Sequence, residues 1–445
     1  MIEATNYSAR RALLREKLGN AIAVIPSASH QTRSYDTEYS FRQHSVLKYL
    51  TGLEEQDSIL VLCPNNIERP EVLFVRPKDA MMEMWSGKRL GPERAREILE
   101  IQHVYPIDQF DTILPELMLG HTAIAYDLFD ASAPQSLHKR LLDHAEKLQR
   151  TKRKFHVRKP DGVINLATLT GEMRLIKEGN ELLFMREAQK ITSRAHRAVM
   201  AKTAAGINEK ELQALFHYIV SKNGATEAYE SIVAGGENAC ILHYVNNNKK
   251  LKDGDLLLID AGSEFHVYAS DVTRTYPVNG KFTPIQRDVY EIVLSAQKEA
   301  ISLSRPGKNL NDLHQATITV LSQGLKDLKV INESVETILE KELYKPFYPH
   351  STSHWMGLDV HDPCPYLDGD LKPVSLREGM VFTIEPGLYF PPDRADLPTE
   401  LRGMGIRIED DILITDRAYE NLSSSIPKEI SEIEEEMKRD YRDFL

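Results

Sequence analysis

A chain of 445 residues is long for a single core, so two domains are expected. Hydrophobic residues at 42% and charged residues at 27% describe an ordinary globular protein, and apolar runs such as Ser58–Pro64 are far too short to span a bilayer. The net charge of −11 argues against nucleic acid or an anionic membrane as a partner through the bulk field.

The basic run Lys147–Arg158 reads as a solvated connection. Three scattered cysteines, Cys63, Cys240 and Cys364, imply reduced thiols rather than a disulfide framework. The first residues lack the apolar stretch of a signal peptide, so the cytoplasm is the expected location.

In chain order, Ala21–Ile25, Ile59–Leu62, Val72–Val75 and Thr122–Tyr126 are predicted buried strands, being short, branched and bounded by polar residues or proline. Pro92–Leu99 and Pro134–Gln149 are predicted helices, which makes the first third α/β. A boundary falls near Leu169–Glu178, dividing the chain into domains 1–171 and 172–445. Beyond it come two helices, Glu178–Thr203 and Glu209–Lys222. The pattern then turns to α plus antiparallel β. Leu256–Ile259 is a strand, Gly262 a turn point, and Asp271–Pro277 a returning strand. Helices follow at Arg287–Leu303 and Leu310–Leu325, then strand-like runs at Val381–Glu385 and Ile406–Ile414. Lys428–Leu445 is predicted as one amphipathic helix.

Chemistry gathers late in the chain. A turn near Gly262 would bring Asp271 back beside Asp260, and a divalent cation would relieve their repulsion. On these two alone, solvated carboxylates at strand ends are the preferred reading. Tyr348–Asp362 carries His350, His354 and His361, around a Trp-Met-Gly that must pack. The spacing of His350 and His354 would put both on one face of a helix, but no HExxH is present, which leaves a single-zinc protease helix unsupported. Glu385 ends an apolar run before Pro386. Glu409 shares a strand face with Arg407, opposite Ile406 and Ile408, and an ion pair with Arg407 is its plainer role. Together, one imidazole and four carboxylates suit Mn²⁺ or Co²⁺ better than a structural zinc. Four carboxylates exceed what one ion neutralises and match two dications with bridging ligands.

These residues resemble a known family. LLLIDAGSE with Asp260, SDVTRTYPV with Asp271, HSTSHWMGLDVHD with His354 and His361, VFTIEPGLY with Glu385, GIRIEDD with Glu409 and GENACILHY with His243 are similar to the bacterial aminopeptidase P group of the pita-bread metallopeptidases. FRQHSVLKYLTGLEEQDSILVL and EMWSGKRLGPERA resemble its amino domain, although His44 and Leu47 stand where acidic and aromatic residues are commoner.

The resemblance implies an α/β N-terminal domain followed by an α+β pita-bread catalytic domain. It implies an Xaa-Pro aminopeptidase that holds two divalent ions, Mn²⁺ first with Co²⁺ and Zn²⁺ as alternatives, through Asp260, Asp271, His354, Glu385 and Glu409. Glu385 would carry the proton, and His361 and His243 would meet the scissile carbonyl. His350 and Arg407 would form the proline-side pocket, with His243 and His361 also touching substrate. The implied partner is a peptide with N-terminal Xaa-Pro. A homodimer or homotetramer is also implied, with Trp85 at an active-site mouth. An Xaa-Pro dipeptidase with the same metals is the nearest alternative. A metal-free creatinase-like enzyme and an inactive binding domain would both have lost ligand positions that are filled here.

Overall fold

The computed structural model describes residues 6–129, 135–150 and 156–445. The chain forms two compact units, Met1–Met173 and Arg174–Leu445.

In the first unit, a mixed six-stranded sheet runs His103–Pro106, Glu71–Val75, Ile59–Leu62, Ala21–Pro26, Ala123–Tyr126, Gly162–Asn165. The central strand Ala21–Pro26 is buried along its whole length, because it pairs on both sides and helices cover the sheet. Phe110, Leu114 and Leu117 of one helix and Leu137, Leu141 and Leu148 of another join the strand residues in one core. The four predicted strands are present. The edge strands His103–Pro106 and Gly162–Asn165 are additional, and each is only partly buried, so neither shows a clear hydrophobic period. The second predicted helix is Gln135–Arg150, and its predicted first residue, Pro134, lies outside the described residues. So does part of the basic run Lys147–Arg158.

The second unit is α+β. Four helices, Gly179–Lys202, Glu209–Lys222, Pro284–Leu303 and Leu310–Asp327, pack on small antiparallel sheets. Reciprocal capping boxes set the helix starts, Glu178 with Glu181, Asn208 with Glu211, Thr283 with Gln286 and Asn309 with Asp312. The Thr283 cap with Pro284 at the first turn begins that helix three residues earlier than hydrophobic period alone suggested.

Three sheets position the site. Ile232–Gly235, Leu256–Asp260 and Thr273–Pro277 form one, Val381–Ile384, Asp410–Ile414 and Tyr419–Asn421 a second, and Gly387–Phe390 with Met404–Arg407 a third. The single run Ile406–Ile414 is therefore two strands in two sheets. The chain crosses between them at Ile408 and Glu409. The alternation survives the break, because Ile406 and Ile408 both enter the core.

The predicted C-terminal helix is also split. It covers only Ile430–Glu436, and Asp440 then caps a short turn, Tyr441–Phe444, that folds Phe444 under Arg197 and Arg439. His350 and His354 lie on no helix. Their segment runs extended alongside Val381–Ile384, with Thr383 N–H donating to the His354 carbonyl at 3.0 Å.

Gly262 is required by a close approach. A Cβ there would sit 1.8 Å from the Ser270 carbonyl oxygen, the residue just before Asp271. Gly262→Ala is predicted to cost about 1–3 kcal/mol by overpacking, and to weaken Mn²⁺ binding by displacing Asp271. Thermal melting and metal titration check both, and an unchanged metal affinity would contradict the link.

Candidate active site

Strand ends deliver the carboxylates. Asp260 is the last residue of Leu256–Asp260 and pairs with Thr273, and the returning strand begins there and not at Asp271 as predicted, which leaves Asp271 two residues before it. Glu385 follows Val381–Ile384 directly, and its N–H donates to the Thr352 carbonyl at 2.8 Å. Glu409, at the crossing between sheets, donates its N–H to the Thr273 carbonyl at 3.0 Å. His354 is fixed by its own N–H, which donates to Thr383 Oγ1 at 3.2 Å.

The side chains converge. Asp271, His354 and Glu409 each offer one donor atom within 4.8 Å of the others. His354 Nε2 is 3.5 Å from Asp271 Oδ2 and 3.7 Å from Glu385 Oε1. The Tyr229 hydroxyl sits 2.6 Å from Asp260 Oδ1 and 2.5 Å from Asp271 Oδ1, which joins the two aspartates. Arg407 donates to Asp260 Oδ2 at 2.6 Å, to Thr273 Oγ1 at 3.1 Å and to the Tyr389 hydroxyl at 2.9 Å. Its ion pair is thus with Asp260, not with Glu409. Glu409 instead accepts from the Thr273 hydroxyl at 2.7 Å.

Burial sets the protonation. It raises Asp260 and Glu409 above the usual carboxylate range, against the pull of Arg407, and the neighbouring aspartates push the same way. Glu385 is raised by burial to about 8, with His354 and Arg407 opposing. Burial would also raise Asp271, but the hydrogen bond and charge of His354 hold it low. His354 feels burial too, yet Asp271 and Glu385 lift it to about 9. This is the pattern of a donor set short of positive charge.

The other histidines surround this cluster. The His361 ring meets His354 edge-on at 4.3 Å between centroids, and burial and the His354 charge lower its pKa. Asp362, next in sequence, is taken up by Arg174 and Lys177, so His361 is not held by it. His350 places Nδ1 2.9 Å from the Ser351 carbonyl and Nε2 2.9 Å from the Tyr389 hydroxyl. Nδ1 therefore carries the proton, and Nε2 accepts from the tyrosine. Burial, helped by Arg407, lowers His350 to about 3, so this ring stays neutral. His243 is exposed and near enough to His350 and His361 to contribute to the lowering of both. Tyr229, Thr273 and Tyr389 belong to the site although the sequence reading gave them no role. Tyr389 stands inside the VFTIEPGLY motif, whereas nothing around Tyr229 marks it.

The donor set fits divalent cations. Four carboxylates, Asp271 and Glu409 buried and Asp260 and Glu385 half-buried, face one guanidinium and one imidazole, and hard dications would replace the protons that burial now favours. His354 Nδ1 is 3.2 Å from the Trp355 carbonyl, which keeps the proton there and leaves Nε2 free toward Asp271 and Glu385, as a metal-binding imidazole needs.

Fold and site together define a metal-dependent hydrolase with an added N-terminal α/β unit. The profile of metallopeptidase family M24 matches residues 184–416, and that of the aminopeptidase P N-terminal domain matches residues 7–126. The chain is 39% identical to the Xaa-Pro aminopeptidase of Haemophilus influenzae, over 93% of each chain. Its structure is similar to that of Pseudomonas aeruginosa aminopeptidase PepP, with a TM-score of 0.93 and 39% identity over 98% of this chain and 99% of the other. It is also similar to zinc-substituted Escherichia coli aminopeptidase P in complex with product, with a TM-score of 0.91 and 38% identity over 97% of each chain. The chain belongs to the aminopeptidase P group of metallopeptidase family M24 and is a metallo-aminopeptidase that uses divalent metal.

Metal-free protein should lose stability as pH rises. Glu385, raised from 4.5 to about 8, holds a proton that the unfolded chain has released, so its contribution falls as pH climbs from about 4.5 through 8. His354, raised from 6.5 to about 9, adds a loss of the same sign from about pH 6.5 through 9. Melting in EDTA is expected to fall between pH 6 and 9, and the gap to Mn²⁺-loaded protein to widen. A metal-free melting temperature that rises over this range would contradict the assignment.

Proposed function

We propose that this enzyme releases the N-terminal residue from peptides with proline in second position, using two divalent ions held by Asp260, Asp271, His354, Glu385 and Glu409. The convergence of Asp271, His354 and Glu409 within 4.8 Å carries the metal assignment. Mn²⁺ is the favoured ion, because the donors are four carboxylates and one imidazole. When bound, the ions would supply a nucleophilic water near neutral pH and stabilise the developing oxyanion.

The protein's own groups do the rest. Glu385 takes the proton of the attacking water and returns it to the proline nitrogen as the C–N bond breaks. His361 and His243 donate hydrogen bonds to the scissile carbonyl as charge builds on its oxygen. A proline at the leaving side has no N–H, so strand pairing cannot hold it and a shaped wall must. His350, kept neutral by burial, with Tyr389 and Arg407 behind it, supplies that wall.

An Xaa-Pro dipeptidase is the less favoured reading, since near-full-length similarity runs to aminopeptidases. We place the enzyme in the cytoplasm, where its three unbridged cysteines would remain reduced. Among the described residues no helix is long and apolar enough to cross a membrane.

We also propose a homodimer or homotetramer. Helix Ala80–Ser86 buries none of its residues, and Trp85 on it is 85% exposed beside Met81 and Met84, which suits a face covered by a second copy near an active-site mouth. Sedimentation velocity measures this directly, and a monomer at all concentrations would end the proposal.

Mn²⁺-reconstituted enzyme should cleave Xaa-Pro-Yaa tripeptides well and Xaa-Pro dipeptides poorly. His361→Ala should keep its metal content and lose roughly 10²–10³ in kcat. Loss of metal from this variant would make His361 a ligand instead, and near-normal kcat would remove it from the chemistry.

A further inference from the structure

The loop that carries His243 leaves strand Ile232–Gly235 and returns at Lys249, and both ends are tied to one side chain. Glu209, the first residue of helix Glu209–Lys222, is fully buried. Its Oε1 accepts from Gly235 N–H and from Asn238 Nδ2, each at 2.8 Å. Its Oε2 accepts from the Tyr244 hydroxyl at 2.9 Å and from Lys249 N–H at 2.8 Å. All four donors are neutral and all four belong to the loop or its two ends. Four such donors occupy both oxygens of the buried carboxyl group and hold it in one orientation.

The sequence neighbour of His243 is part of this arrangement. Tyr244 is buried with its hydroxyl on Glu209, while His243 beside it is exposed and near enough to His350 and His361 to act on both. His243 ends a turn and shares a peptide bond with Tyr244, so anchoring Tyr244 restrains the His243 backbone. Asn247 supplies a second hold from the same side. Its side chain accepts from Val233 N–H at 2.9 Å and donates to the Ser231 carbonyl at 2.8 Å, with its backbone in the left-handed region at φ 47°.

We propose that Glu209 is a positioning residue for the reaction, a buried staple that closes the 235–249 loop and aims His243 at the substrate. It touches neither substrate nor metal and acts through the loop alone. This inference rests on the reading above that His243 meets the substrate.

The test is a double-mutant cycle with Mn²⁺-loaded enzyme and an Xaa-Pro-Yaa tripeptide. Glu209→Gln turns one acceptor into a donor facing donors, and is expected to lower kcat/KM by about tenfold or more. In the His243→Ala background the same change should cost less than about threefold, because the aimed group is already gone. Metal content should stay at the wild-type level. Amide hydrogen exchange should quicken across residues 235–249 and stay unchanged in strand Leu256–Asp260. Tyr244→Phe, which removes a single donor, gives a milder cycle should Glu209→Gln fail to fold, with the same loss of effect expected beside His243→Ala. Equal costs in both backgrounds would overturn the staple while leaving the role of His243 intact. Wild-type turnover in His243→Ala alone would overturn both.

Discussion

Four carboxyl groups are forced together at the buried ends of strands, and they cannot all be charged there without added positive charge. Asp260, Asp271, Glu385 and Glu409 face Arg407 and His354, and the result is visible in three carboxyls whose protons are held above the usual range. Other buried cations nearby are already engaged. Arg274 and Lys428 meet Asp410, and Arg174 and Lys177 meet Asp362. These networks hold the crossing at Glu409 and the turn after His361 without neutralising the cluster. Arg274 also donates to the Glu409 carbonyl at 2.6 Å, which fixes the backbone of that acid while leaving its carboxylate to the site. The deficit of positive charge is what makes the cluster a place for dications rather than a set of salt bridges.

Backbone geometry creates that deficit, and much of it was legible in sequence. Apolar runs that end abruptly in an acid, as at Ile259 with Asp260 and Ile384 with Glu385, signal a strand that drives a carboxylate to its buried end. The two aspartates alone did not distinguish a site from solvated strand ends. The structure separates these readings through burial and through Tyr229, which links both. The expected ion pair of Arg407 with Glu409 fails for a physical reason. The chain changes sheets between them, and the guanidinium turns across Thr273 to Asp260.

What stayed hidden depends on contacts between distant segments. The extended path of His350 to His354 follows from pairing with Val381–Ile384, which no local spacing reveals, so an i, i+4 histidine pair suggested a helix that is absent. Tyr389 reaches His350 and Arg407 only because Gly387–Phe390 pairs with Met404–Arg407. Edge strands and the broken C-terminal helix were missed because partial burial and a mid-segment cap blur the period from which they would be read. The long helices and the central strands, whose burial is continuous, were the readable part.

Anomalous diffraction from crystals grown with Mn²⁺ tests the charge-deficit account most directly. It predicts two manganese peaks enclosed by Asp260, Asp271, His354, Glu385 and Glu409. Saturating Mn²⁺ with no peak among these five side chains, the carboxylates keeping their contacts to Tyr229, Thr273 and Arg407, would contradict it.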